Sequence, residues 1–134
     1  MSSILIVDDE ETQRKALHDY LIKRDFTVLE AKNGVQGLEI ALNQHPDVIL
    51  LDVRMPVMDG MTMMLKLRQD KWGEKASVII LSNYDTDNTQ IMQITEALPS
   101  YYLLKASSSL DLILEKIQET LDAKGKEKES DTQE

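Results

Sequence analysis

The chain has 134 residues, 42% of them hydrophobic, with a formal charge of -9, a pI near 4.7 and no cysteine. That is enough for one domain with a real core, and the acidic balance excludes nucleic acid and anionic lipid surfaces as natural partners, because both call for a basic footprint. Disulfides and thiolate metal sites are excluded, no apolar run approaches a membrane span, and with no basic-then-apolar leader ahead of the first strand, the expected location is the cytoplasm, without membrane insertion.

Ile4-Leu5-Ile6-Val7 opens the chain as a short aliphatic run and ends at Asp8 and Asp9. Such runs read as strands buried on both faces, as in a parallel sheet. Ala16, Leu17, Tyr20 and Leu21 then fall at helical spacing. Thr27-Val28-Leu29-Glu30-Ala31 is short and half polar, which suits an edge or near-edge strand. Asn33-Gly34 marks a turn, and Val35, Leu38, Ala41 and Leu42 form a second helical stripe that Pro46 ends.

Val48-Ile49-Leu50-Leu51 is the next buried run and ends at Asp52. Asp59-Gly60 precedes a third helix marked by Met61, Met64, Leu65 and Arg68. Met55, Met58, Met61, Met63 and Met64 crowd this stretch, and core filling is expected of them ahead of an adaptable docking surface. Val78-Ile79-Ile80-Leu81 runs into Ser82, Ile91, Ile94 and Leu98 suggest a fourth helix halted by Pro99, and Tyr101-Tyr102-Leu103-Leu104 runs into Lys105. Leu110, Ile113, Leu114, Ile117 and Leu121 mark the clearest amphipathic helix, with Ser108 and Asp111 spaced as a capping box. Residues 122–134 are charged, have no apolar face and are expected to be a disordered tail after a domain of residues 1–121. His18 and His45 have no companion ligands in the sequence, and neither is assigned to a metal or to phosphotransfer.

Strand and helix alternate five times, which gives an α/β fold with a parallel sheet wound on both faces by helices. In such folds ligands bind beyond the carboxyl ends of the strands. Asp8, Asp9, Asp52, Ser82 and Lys105 all stand at such ends. Singly, each has an ordinary explanation: Asp9 could cap a helix, Asp52 could start a turn, and Ser82 and Lys105 could be solvated loop residues. Jointly they put carboxylates, a hydroxyl and an ammonium at four strand ends. Three acids brought that close need a counter-charge, and magnesium is the usual oxygen-bound cation where a phosphoryl group is handled.

These segments resemble the receiver domain of two-component response regulators. The resemblance lies in Ile6-Val7-Asp8-Asp9-Glu10, Leu50 to Gly60, Leu81-Ser82-Asn83 and Tyr102-Leu103-Leu104-Lys105, and it covers roughly residues 3 to 121. It implies a doubly wound (βα)5 flavodoxin-like fold whose five parallel strands lie in the order 2-1-3-4-5. It further implies that Asp52 is the phosphoacceptor, attacking a phosphohistidine on a sensor histidine kinase or a histidine phosphotransfer protein. Asp8, Asp9, Asp52 and the backbone carbonyl of Arg54 would hold Mg²⁺, or Mn²⁺ in its place. Lys105 would pair with the phosphoryl oxygens, Ser82 would move onto the phosphoryl group after transfer, and Tyr102 would turn inward as the aromatic switch. Signalling would then run to a downstream protein through the face made by the fourth helix, the last strand and the fifth helix.

The chain departs from the pattern in two places. Ala106 follows Lys105 where most receivers have proline in a cis peptide. Because a cis bond before alanine costs about 2.5–4 kcal/mol, a trans bond and a locally altered loop are expected. Asn83 stands where a small residue is usual; with Arg54 and Tyr84 it is expected to shield the phosphoryl group and slow its loss. Two other readings are weaker. A phosphohydrolase of the haloacid dehalogenase type needs a second acid two residues after the nucleophile, and this chain has Arg54 there. A receiver-like binding module that no longer accepts phosphate is opposed by the intact Asp8, Asp9, Asp52 and Lys105.

Overall fold

A computed structural model describes residues 2–52, 58–82, 101–104 and 109–132. Each aliphatic run forms a strand: β1 (Ser3–Val7), β3 (Val48–Asp52), β4 (Val78–Ser82) and β5 (Tyr101–Leu104), with the half-polar β2 (Thr27–Ala31) at one edge. All pairings are parallel and the order is β2-β1-β3-β4-β5, the doubly wound order that the resemblance implies.

The aliphatic runs are continuous because the sheet is covered on both sides. Leu5, Val7, Ile49, Leu51, Val78 and Ile80 face one layer with Ala41 of α2 (Gly34–Gln44) and Met61, Met63, Met64 and Leu67 of α3 (Gly60–Arg68). Ile4, Ile6, Val48, Leu50, Ile79 and Leu81 face the other. There they meet Leu17 and Leu21 of α1 (Glu11–Ile22) and Ile113 and Ile117 of the C-terminal helix (Leu110–Thr132). Successive strand residues alternate between the layers, as a period of two requires. The methionines of α3 are core filling, as expected of Met61, Met63 and Met64.

Several local expectations are corrected. Val35 is 45% exposed, and Ala16 and Leu65 are exposed as well. On α2 the contact with β1 is made by Gly37, where a Cβ would come within 2.9 Å of both Val7 methyls. That close approach turns Val35 outward. On α3, Met63 takes the inward place expected of Leu65. The C-terminal helix is capped by Ser109, whose hydroxyl accepts from the Leu112 N–H at 3.1 Å, and Ser108, expected as the cap, lies outside the described residues.

That helix also continues to Thr132, through the segment expected to be a disordered tail. Ala, Lys and Glu dominate residues 123–129, and these residue types favour helix by intrinsic propensity. The fourth helix expected around Ile91, Ile94 and Leu98 lies outside the described residues.

Two local devices set how the helices enter. Asn33 Oδ1 accepts from Gln36 N at 2.9 Å and Asp59 Oδ1 from Thr62 N at 2.7 Å, each satisfying an otherwise unpaired N–H at a helix start. At the far end of the sheet Trp72 stacks on His45 with centroids 4.3 Å apart and an 11° tilt.

Candidate functional site

β1 and β3 are separated by more than forty residues in sequence, and their register brings their last residues side by side. Ile4 pairs with Val48 and Val7 with Leu51, so Asp8 and Asp52 follow at adjacent positions on the carboxyl rim. The register is pinned at the other end, where Asp47 Oδ2 accepts from Ser3 N at 2.8 Å and Asp47 N donates to Ser3 O at 2.9 Å. Asp8, Asp9 and Asp52 each offer a carboxylate oxygen, and these oxygens all lie within 4.8 Å of one another.

Burial makes this cluster chemically demanding. Asp8 is 2% exposed and Asp52 4%, whereas Asp9 is exposed. Three hydrogen bonds hold Asp8. Its N–H donates to Ala31 O at 3.1 Å, its Oδ1 accepts from Glu10 N at 2.9 Å, and its carbonyl accepts from Arg14 Nη1 at 2.8 Å. Asp9 does not cap α1; the cap position is Glu10, whose side chain makes no capping bond.

Three carboxylates so close, with one side open to water, suit a small hard cation that takes oxygen ligands and keeps some of its waters. The donor set contains no nitrogen or sulfur, which disfavours zinc and copper in favour of magnesium or manganese.

The neighbouring strands deliver the remaining candidates by register. Asp52 pairs with Leu81, so Ser82 stands one step further along the same rim, and Ser82 in turn pairs with Leu104, the residue before Lys105. The register thus sets the strand that ends at Ser82 directly beside the one that ends at Asp52 in the acid cluster.

The family model for the response regulator receiver domain matches residues 4–118. The chain belongs to that family. Among curated proteins, the transcriptional regulatory protein SrrA of Staphylococcus aureus is 34% identical over 113 residues, or 84% of this chain and 45% of that protein. The chain thus spans about half the length of the curated relatives it matches. Among solved structures, a CheY-like receiver domain protein from Methanospirillum hungatei JF-1 superposes with a TM-score of 0.87 at 25% identity, covering 95% of this chain and 98% of that one. The chemotaxis protein CheY4 of Vibrio cholerae gives 0.81 at 25% identity, covering 90% and 99%. Receivers are signalling domains of two-component systems.

In this receiver Tyr102 lies on β5 with 38% of its surface exposed. Its neighbour Tyr101 donates to Glu119 Oε2 at 2.7 Å, and Lys116 Nζ reaches the same oxygen at 3.1 Å, so β5 is tied to the C-terminal helix. Arg54, Asn83, Tyr84, Lys105 and the Lys105–Ala106 bond lie outside the described residues. Sequence reasoning missed Arg14, a cation buried beside the acids. Its signal was a charged residue three positions before Leu17, on the side of α1 that Leu17 and Leu21 bury. No helix among the described residues is long and apolar enough to cross a membrane.

Proposed function

We propose that this receiver accepts a phosphoryl group on Asp52 from a phosphohistidine of a sensor histidine kinase or a histidine phosphotransfer protein. A carboxylate oxygen of Asp52 attacks phosphorus, the phosphorus–nitrogen bond of the donor breaks, and the imidazole leaves with the bonding electrons and takes up a proton. The observation that carries the reading is the gathering of Asp8, Asp9 and Asp52 within 4.8 Å at the carboxyl rim, with Asp52 almost wholly buried.

Asp8, Asp9, Asp52 and the Arg54 carbonyl would hold the cation. Magnesium or manganese bound there supplies positive charge that offsets the phosphoryl oxygens. Lys105 pairs with those oxygens from the end of β5. The Ser82 hydroxyl then moves onto the phosphoryl group, and Tyr102 follows it inward, changing the surface that a downstream protein reads. An acyl phosphate adds charge and acceptor oxygens to a rim that is already acidic, which is enough to bias such a two-state surface.

The domain acts as a cytoplasmic signalling protein and catalyses at most its own phosphorylation and dephosphorylation. It occupies residues 1–121 in this reading, and the helical segment beyond carries none of the chemistry.

Incubation with Mg²⁺ and acetyl phosphate, followed by intact-mass measurement, tests the proposal. One added phosphoryl mass is expected in the wild type and none in Asp52→Asn or after chelation of the metal. Turnover of many equivalents of a phosphate ester would mark a phosphohydrolase instead. Neither labelling nor turnover would mark a binding module that has lost phosphoacceptance.

A further inference from the structure

Arg14 is the charged residue that α1 buries, in line with Leu17 and Leu21, and it is only 8% exposed. Its Nη1 donates to the Asp8 carbonyl at 2.8 Å, and its Nε lies 3.3 Å from Glu30 Oε1 on β2. Glu30 precedes Ala31, whose carbonyl accepts the Asp8 N–H at 3.1 Å. Both main-chain polar groups of Asp8 are therefore held from outside its own strand, the N–H by β2 and the carbonyl by α1. A leucine at this position would extend the apolar stripe of α1 without the cost of desolvating a guanidinium. What the arginine adds is a donor fork that engages Asp8 and Glu30 at once.

We propose that Arg14 is a positioning residue for the acid site. By gripping the Asp8 carbonyl it fixes the plane of the turn after β1, and with it the direction of the Asp8 carboxylate toward Asp9 and Asp52. Glu30 keeps the guanidinium in place from the sheet edge. The proposal rests on the phosphoacceptor reading above, because it takes the three acids to be a divalent-cation site.

The test is Mg²⁺ titration calorimetry on the full chain, paired with thermal unfolding in metal-free buffer, for the wild type, Arg14→Lys and Arg14→Ala. Groups that orient a metal ligand without touching the metal change affinity by about 10- to 100-fold when removed. Arg14→Ala is expected to bind Mg²⁺ about tenfold more weakly. Arg14→Lys, which keeps the charge and one donor direction but loses the fork, should fall between it and the wild type. If Arg14 were merely a nearby positive charge, its removal would tighten Mg²⁺ binding and lysine would leave it unchanged. If it were merely structural, the melting temperature would fall at constant affinity. Either result overturns the proposal, and should Arg14→Ala not fold, Arg14→Lys decides alone. Wild-type protein that takes up no Mg²⁺ sinks the phosphoacceptor reading itself, whereas equal affinities in wild type and variants sink only the role of Arg14.

Discussion

Gly37→Ala probes the layer directly beneath the acid rim. In an isolated helix the change stabilises by about 1 kcal/mol, because alanine loses less backbone entropy. Here the new Cβ would stand 2.9 Å from both Val7 methyls and 3.0 Å from Met63 Sδ. The thioether can swing aside, but Val7 is fully buried on β1 and its branched side chain is stiff about χ1. Overpacking of a tight core costs about 1–3 kcal/mol, against a helical gain of about 1 kcal/mol, so a net loss centred on about 1 kcal/mol is expected. Urea unfolding measures it. With a slope of about 1–3 kcal/mol per molar for a small domain, the midpoint should fall by roughly 0.3–1 M. Gly125→Ala is the control, since nothing lies within 4 Å of a Cβ there. It should raise helical content in circular dichroism without lowering the midpoint. A Gly37→Ala protein as stable as the wild type would refute the claim that α2 is pressed onto β1 through this glycine.

Three further outcomes are expected. The bond from Tyr101, and next that from Lys116, hold the Glu119 carboxyl below its ordinary value, while Tyr101 and Lys116 are raised chiefly by their bonds to Glu119. The depressed Glu119 contributes stability above the unfolded carboxylate value of about 4.3 and loses it as pH falls through its folded value. Tyr101 contributes below about 10 and loses its part as pH rises through its own raised value. In Tyr101→Phe, the Glu119 titration followed by carboxyl NMR should move upward, and an unmoved curve would show that the bond from Tyr101 is not its cause. Asp59→Ala removes the acceptor for Thr62 N and should cost about 1 kcal/mol in chemical unfolding, whereas Asp59→Asn should cost much less. Asn83→Ala should shorten the lifetime of the phosphorylated state, measured as phosphate release, and an unchanged lifetime would remove Asn83 from the shielding role expected of it.

The chain by itself determined the strands, the layer architecture and the residues at the rim. An aliphatic run without polar interruption reads as a segment covered on both faces, and where it stops at Asp8, Asp52 or Ser82 the carboxyl rim of the sheet begins. Asn33-Gly34 marks a turn ahead of one helical stripe and Asp59-Gly60 precedes another, whereas the capping bonds that Asn33 and Asp59 make are seen in the fold. The resemblance to receivers supplied the strand order, which local pattern does not contain. Tertiary structure alone decided that the carboxylates of Asp8, Asp9 and Asp52 converge within 4.8 Å, because that distance depends on the register between β1 and β3. It also decided which helix residues face inward. Gly37 rather than Val35 meets the sheet, and Met63 rather than Leu65, because close packing selects the side chain that fits and not the most hydrophobic one. Arg14 is the clearest case: a surface-type residue by composition, it is buried because the carbonyl and the carboxylate that satisfy it come from β1 and β2, which only the folded sheet brings together.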